Sequence, residues 1–120
     1  MQNAVRVLVV CKDLFFTTRI RETAKLTGTS VEFARSEAEL AQKLAADSPE
    51  FLILDLTTRT WDYDSIFTTL KSNAAQLSIL GFTTHVLAKT TQPYHGRCTR
   101  VVTKETFTQE LPNLLTNGFC

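Results

Sequence analysis

The chain has 120 residues, of which 43% are hydrophobic and 21% charged, and its formal net charge is +1. This length fits a single domain over residues 1–120, and the composition excludes a disordered or fibrous chain. The charge names no partner, and no apolar run approaches the roughly 20 residues that span a bilayer. We therefore expect a cytoplasmic protein whose three cysteines, an odd count without metal-type spacing, stay reduced.

The apolar pattern predicts an alternation of strands and helices from the start of the chain. The run VRVLVVC at 5–11 is typical of a strand that is buried on both faces. Phe16, Ile20 and Ala24 then recur four residues apart, which predicts one buried face of a helix. Gly28 predicts the end of this helix, because glycine adopts the left-handed conformation that often terminates helices.

A short strand at 30–34 precedes the clearest helix of the sequence, which we expect at 36–47. Ser36 and Glu39 have the spacing of a capping box, in which each residue satisfies a free backbone N–H at the start of a helix. The spacing of the apolar residues predicts a helix packed on a sheet. The predicted buried stripe comprises Leu40, Ala41, Leu44 and Ala45.

The second half of the chain continues the alternation. FLILDL at 51–56 predicts the third strand and LSILGF at 77–82 the fourth, with a short helix at 64–74 between them, capped by Asp64. The next segment, 85–96, is a poor candidate for a long helix. Its unfavourable residues are Thr90, Thr91, Pro93 and Gly96.

The last two elements are a strand at 98–102 and a helix at 108–118. Thr108 is the expected cap of this helix, Pro112 lies in its first turn and Gly118 ends it.

Five strands that alternate with about five helices predict an α/β fold, a parallel sheet covered on both faces. In such sheets ligands bind beyond the carboxyl ends of the strands. We therefore expect the residues at these ends to converge on one crevice. They are Cys11, Lys12, Asp13, Asp55, Thr83, Thr84 and Lys104.

Over nearly its whole length the sequence resembles the receiver domains of two-component response regulators. The resemblance rests on four segments, VRVLVVCKD, FLILDL, ILGFTT and RVVTKETF. It implies a flavodoxin-like (CheY-like), doubly wound sheet with the strand order 2-1-3-4-5. It also implies that Asp55 matches the phosphoacceptor, Thr83 the hydroxyl that contacts the phosphoryl group, and Lys104 the lysine that pairs with it.

The sequence departs from the receiver pattern where receivers hold Mg²⁺. Cys11 and Lys12 occupy the places of an acidic pair, which leaves only Asp13, and neither a thiol nor an ammonium suits a hard divalent ion. We expect no metal cofactor, and we expect Lys12 or Lys104 to form an ion pair with Asp55 in place of the metal.

Three further departures also lead us to expect a degenerate receiver, or pseudo-receiver. The loop after Asp55 lacks the family's proline, Val101 replaces an aromatic switch residue, and Glu105 replaces a proline.

Two other functions stay open at this point. The first is a receiver that is phosphorylated on Asp55, with an atypical Mg²⁺ site formed by Asp13 and Asp55. The second is a small phosphotransfer enzyme built on Cys11, because a cysteine between a strand and a helix N-terminus can be a low-pKa nucleophile. Low-molecular-weight tyrosine phosphatases place a cysteine in this way but need an arginine six residues further on, where this chain has Thr17. The phosphocysteine subunits of sugar transport systems use a glycine-bearing loop, where this chain has CKDLFFTT. We therefore expect an inert buried thiol and no catalysis.

The stretch from Ser65 to Lys104 contains no acidic residue. By the receiver resemblance it forms the fourth helix and fifth strand, the side that contacts partners. We expect a partner face there, although acids from elsewhere could also neutralise its charges. The face comprises Lys89, Arg97, Arg100 and Val101.

The expected partner is another signalling protein and not a membrane or nucleic acid, because no nucleic-acid-binding motif accompanies the basic residues. We also expect a monomer or a homodimer. Trp61 and Tyr63 either cover the crevice or form an exposed patch. His85 and His95 are expected to be loop or surface residues.

Overall fold

The computed structural model describes residues 6–46, 49–73, 77–84 and 86–117. Strands and helices alternate along them, as the sequence predicts. The elements are β1 (Arg6–Val10), α1 (Leu14–Thr27), β2 (Ser30–Ala34), α2 (Glu37–Ala46), β3 (Phe51–Asp55), α3 (Tyr63–Asn73), β4 (Ser78–Thr83), α4 (Ala88–His95), β5 (Arg100–Thr103) and α5 (Lys104–Asn117). No helix in the described ranges combines the length and the apolar character needed to cross a bilayer.

The five strands form one parallel sheet in the order β2-β1-β3-β4-β5, which confirms the predicted doubly wound α/β architecture. The register aligns the ends of neighbouring strands: Val10 lies opposite Leu54, and Asp55 lies opposite Phe82. The carboxyl ends of β1, β3 and β4 therefore meet at one edge of the sheet, where the sequence places the crevice.

Two hydrophobic layers cover the sheet because successive side chains of a strand point to opposite faces. In β1, Val7 and Val9 pack with α1 and α5, whereas Leu8 and Val10 pack on the other face with α2 and α3. Both faces of the central strands are thus buried, which explains why these strands are apolar throughout their length.

The ends of α1 and α2 follow the sequence signals. Gly28 ends α1 with a left-handed φ of 72°, and the hydroxyl of Ser36 accepts the N–H of Glu39 at the start of α2. The Glu39 carboxylate accepts the N–H of Arg35, one residue before the cap. The predicted stripe of α2 is narrower than expected, since Ala41 and Ala45 are exposed.

Two predicted helix starts are wrong. α3 begins at Tyr63 with Asp62 as its cap, since the Asp62 carboxylate accepts the Ser65 N–H at 3.2 Å. α5 begins at Lys104, four residues before the predicted cap Thr108, because the Thr103 hydroxyl caps it by accepting the Thr106 N–H at 3.2 Å.

Pro112 therefore lies in the middle of α5 and not in its first turn. The earlier start of α5 adds Phe107 to the buried residues Leu111, Leu114 and Leu115. The segment 85–96, whose residues disfavour a long helix, contains α4, which has only 8 residues. The predicted stop at Gly118 lies outside the described residues.

Candidate functional site

Asp55 is the last residue of β3 and is buried, with only 3% of its surface exposed. Its Oδ1 accepts the backbone N–H of Thr57 at 2.8 Å and the Thr57 hydroxyl at 2.6 Å. Its Oδ2 lies 3.5 Å from the Thr58 hydroxyl and 3.8 Å from the Cys11 sulfur. A buried carboxylate needs such donors in place of water, and both of its oxygens have them here.

The backbone around Asp55 is held by Tyr63, whose side chain is buried. The Tyr63 hydroxyl donates to the Asp55 carbonyl oxygen at 2.5 Å and accepts the Thr58 N–H at 3.0 Å. Burial raises the pKa of the Tyr63 phenol above its ordinary value, so the hydroxyl keeps the proton that this bond requires. Tyr63 is therefore not part of an exposed patch, and its hydroxyl fixes the backbone at Asp55.

The three residues after β1 take different positions. Cys11 is buried, and its sulfur lies 3.8 Å from an oxygen of Asp55, whereas Lys12 is exposed. Asp13 caps α1, because its Oδ1 accepts the N–H groups of Phe15 at 2.9 Å and Phe16 at 3.3 Å. Oδ1 of the one carboxylate available at the end of β1 is therefore engaged by the helix backbone.

The expected ion pair of Asp55 with Lys12 or Lys104 is not formed. No described basic side chain has a nitrogen within 4.0 Å of the Asp55 carboxylate. The Lys104 ammonium lies 4.9 Å from the centre of the Phe16 ring and 5.9 Å from that of Phe82. These aromatic faces attract the cation, while nearby hydroxyl and amide donors already satisfy the carboxylate.

Thr83, at the end of β4, is buried and connects the crevice with α4. Its hydroxyl accepts a hydrogen bond from the Thr91 hydroxyl at 3.2 Å, and the Thr91 hydroxyl lies 2.9 Å from Nε2 of His95. Thr84 instead accepts the N–H of Leu87 on its hydroxyl at 3.1 Å, before the start of α4. Thr83 therefore hydrogen-bonds towards α4, and Thr84 shapes the loop that leads into that helix.

The basic stretch is partly neutralised by acids that come from other elements. Arg97 pairs with Asp64 of α3 at 2.9 Å, and Arg100 pairs with Glu110 of α5 at 3.0 Å. Lys89 is exposed on α4. Two of the three positive charges on the predicted partner face are therefore paired within the domain.

The fourth residue of the predicted partner face, Val101, is partly buried and packs at the edge of the hydrophobic layer that α2 and α3 cover. Its neighbour across the sheet is Gly81 of β4. The position that carries an aromatic switch residue in many receivers is thus a small aliphatic residue against a glycine.

The side chains around Asp55 do not match the ligand set of a magnesium ion, which prefers several oxygen ligands in octahedral geometry. A thiol contacts Oδ2 of Asp55, an ammonium side chain follows at Lys12, and Asp13 caps a helix. Within the described ranges, no three histidine, cysteine or acidic side chains form a group that could hold a metal ion.

The environment of Cys11 opposes its use as a nucleophile. Burial, together with the negative charge of Asp55, raises the pKa of the thiol to about 12. Burial likewise raises the pKa of Cys98 to about 11. The third cysteine, Cys120, lies outside the described residues, as does His85.

We expect Cys11 to resist alkylation by iodoacetamide at pH 8, because the thiolate is the reactive species and this thiol stays protonated in the folded chain. Mass spectrometry of the digested protein resolves its peptide from those of the other cysteines. In urea, where the thiol is solvated, Cys11 should react at the rate of an ordinary cysteine. Alkylation of Cys11 in the folded protein at pH 8 as fast as in urea would contradict this assignment.

Several residues at the site were missed by reasoning from the sequence. Thr57 and Thr58 lie two and three residues after Asp55, and this short distance along the chain was a signal that their hydroxyls could reach its carboxylate. The sequence indicates Thr91 only as a residue that disfavours a helix, and its contact with Thr83 depends on how α4 packs on the sheet. No sequence pattern indicated that contact.

The sheet order and the crevice at the carboxyl ends of its strands define a doubly wound α/β domain of the CheY type. Chemotaxis response regulator CheY4 of Vibrio cholerae superimposes with a TM-score of 0.80 and 18% identity, over 98% of this chain and 100% of that chain. A response regulator receiver domain protein from Clostridium thermocellum gives a TM-score of 0.76 and 16% identity, over 95% and 93% of the two chains. These likenesses establish the fold.

The amino-acid sequence is also similar to that of a response regulator. The chain is 32% identical over 80 residues to response regulator MprA of Mycobacterium bovis, an alignment that covers 67% of this chain. The chain is a receiver domain of the response-regulator family and thus a signal-transduction module. The match spans 35% of the length of the curated relatives. No protein-family model matches the chain.

Proposed function

We propose that this receiver domain is a pseudo-receiver, which transmits signals through contacts with another signalling protein and without Mg²⁺-dependent phosphorylation of Asp55. The observation that carries the proposal is the set of contacts around the Asp55 carboxylate. Thr57, Thr58 and Cys11 supply donors to its oxygens. Phosphoryl transfer depends mainly on positioning and on neutralising charge, for which a metal ion is normally recruited by further carboxylates.

The contacts of Asp13 support the same proposal. The atypical metal site would need its carboxylate together with that of Asp55, yet Oδ1 of Asp13 already binds two N–H groups at the start of α1. A metal bound through Oδ1 would displace these N–H groups and cost the cap of this helix, which is typically worth about 1 kcal/mol. We therefore propose a domain without a metal cofactor.

We further propose that the domain has no catalysis of its own, which the raised pKa of Cys11 supports. Receiver domains are typically non-enzymatic signalling modules. The partner would be a protein and not nucleic acid, because Arg97 and Arg100 are paired within the domain. A cytoplasmic site of action, as a monomer or a homodimer, completes the proposal.

Beryllofluoride with Mg²⁺, an analogue of the phosphoryl group, tests the proposal at Asp55. We expect no saturable change in the amide resonances of Thr57 and Thr83, because the metal that holds the analogue lacks its ligands. Saturable, Mg²⁺-dependent shifts at both residues would contradict the proposal and favour a phosphorylatable receiver.

The variant Lys12→Asp tests whether a missing carboxylate is the cause. We expect it to bind Mg²⁺ at least about tenfold more tightly than the parent chain, since it replaces a positive by a negative charge near Asp55. Lys25→Asp is the matched control, because Lys25 is also exposed and lies in the last turn of α1. Equal Mg²⁺ affinities of the two variants would show that the carboxylate is not what the site lacks.

A further inference from the structure

A pocket of about 330 Å³ lies between the β3–α3 loop and α4, beside the crevice but distinct from it. Its aromatic walls are Trp61 on the loop, Tyr63 at the start of α3 and Tyr94 on α4. The rings of Tyr63 and Tyr94 are 5.1 Å apart, and those of Trp61 and Tyr63 are 6.2 Å apart. The rings contact one another in series, so the walls support each other without a ligand.

The remaining lining combines aliphatic and hydroxyl side chains. Leu56 and Leu87 contribute aliphatic surface, while Thr57, Thr58 and Thr90 contribute hydroxyl groups. Small-molecule sites commonly have this composition, mostly apolar and aromatic with a few polar groups that fix orientation, and they begin at about 300 Å³.

Arg59 gives the pocket a charge of defined sign. Its side chain is exposed and lines the pocket, and no described acidic side chain forms an ion pair with it. A guanidinium at the mouth of an aromatic pocket binds carboxylate and phosphate groups through paired N–H donors and also stacks on planar groups.

We propose that this pocket binds a small planar, conjugated molecule that carries one anionic group. The ring system would lie among Trp61, Tyr63 and Tyr94, and the anionic group would meet Arg59. Offset and edge-to-face contacts of aromatic rings favour a flat ligand over a globular aliphatic one of equal volume. The proposal goes beyond the signalling role above, and it holds whether or not Asp55 is phosphorylated.

The pocket is connected to the crevice through shared residues. Thr57 and Thr58 line the pocket and also donate to the Asp55 carboxylate. The Tyr63 ring forms a wall, and the Tyr63 hydroxyl bonds to the Asp55 carbonyl. A ligand in the pocket therefore contacts the loop that holds Asp55, which makes the Thr57 amide a second reporter of binding.

The alternative occupant is an aromatic side chain of a protein partner. Such a neutral side chain would fill the space between the aromatic walls, but it would leave the Arg59 guanidinium without a negatively charged partner. The charge at the rim therefore favours an anionic small molecule, and a comparison of ligands separates the two.

The test uses 2-naphthoate as the planar anion, with 2-naphthylmethanol as its neutral counterpart, cyclohexanecarboxylate as a non-planar anion and N-acetyltryptophanamide as a mimic of a partner's side chain. Trp61 is the only tryptophan in the chain, so a single indole N–H resonance reports on the pocket wall. We expect 2-naphthoate to shift this resonance and the Thr57 amide saturably, with Kd about 1 mM or tighter for a ligand of this size. The other three compounds should bind at least about threefold more weakly.

Two variants with matched controls localise the site. Thr90→Phe should fill the pocket and weaken 2-naphthoate binding at least about tenfold by steric exclusion, whereas Gln92→Phe places the same ring on α4 outside the pocket lining and should have no effect. Arg59→Gln should weaken the binding of 2-naphthoate about threefold to tenfold and leave that of 2-naphthylmethanol unchanged. Lys89→Gln removes an exposed charge that does not line the pocket and should change neither.

Three results would overturn the proposal. The first is the absence of saturable shifts at the Trp61 indole with 2-naphthoate. The second is binding that Thr90→Phe leaves intact. The third is equal or tighter binding of N-acetyltryptophanamide, which would assign the pocket to a protein side chain. The beryllofluoride experiment probes Asp55 independently, so either proposal can fail without the other.

Discussion

Replacing Asp55 with alanine is expected to lower the free energy of unfolding by about 2–3 kcal/mol. The substitution removes the acceptor of the Thr57 N–H and of the Thr57 and Thr58 hydroxyls in a buried environment. A buried donor that loses its acceptor cannot bond to water instead, so most of the free-energy cost of removing it from water is no longer offset. Equilibrium unfolding in urea, followed by circular dichroism, measures the change.

Asp55→Asn separates the role of the charge from that of the shape. In a site built from clustered carboxylates, this change relieves repulsion and should stabilise the fold. Here the nearest contacts of Asp55 are donors, so the asparagine variant should be less stable by about 1 kcal/mol.

Glu22→Gln is the control for this variant, because Glu22 is exposed on α1 and its change should stay within about 0.5 kcal/mol. An asparagine variant that is more stable than the parent chain would indicate an acidic cluster around Asp55. That result would contradict the contacts described here.

Phe82→Ala is expected to have the larger effect, a loss of about 3–5 kcal/mol. Phe82 is fully buried, and its ring centre lies 4.9 Å from that of Phe107 and 5.4 Å from that of Phe16. The Lys104 ammonium also lies over the Phe82 and Phe16 rings. Loss of the ring therefore leaves a cavity and removes contacts that join β4 with both α1 and α5.

Phe15→Ala is the matched control, because it also removes a phenylalanine ring, but the Phe15 side chain is 66% exposed. Its loss should cost less than about 1 kcal/mol. Urea unfolding measured on both variants under the same conditions gives the difference directly. Equal losses from the two variants would mean that the aromatic cluster is not a main source of stability.

The fold could be predicted from the sequence because its signals are local and repetitive. The apolar run of β1 and the spacing of Phe16, Ile20 and Ala24 each depend on neighbouring residues only. The starts of the helices were harder to predict, because several neighbouring residues could act as the cap. At α5 the Thr103 hydroxyl acts as the cap and Phe107 packs in the core, so Thr108 lies inside the helix.

The candidate site could be predicted only in part. The position of a residue at a strand end follows from topology, and this placed Cys11 and Asp55 together correctly. The direction of a long side chain does not follow from topology. The Lys104 ammonium could have reached a carboxylate or an aromatic face, and the rings of Phe16 and Phe82 are what it contacts. The positive charge of Lys104 is attracted to both kinds of group, so the charge did not predict which one it contacts.

The cap on α1 has a consequence for how this domain could acquire or lose a metal site. Asp13 binds the N–H groups of Phe15 and Phe16 through Oδ1, so the start of the helix and an ion bound at that oxygen would compete for it. A chain that gained magnesium through Oδ1 of Asp13 would fray the first turn of α1, beside Phe15 and Phe16. An acid introduced at Lys12 avoids this competition, because Asp13 can then continue to cap the helix.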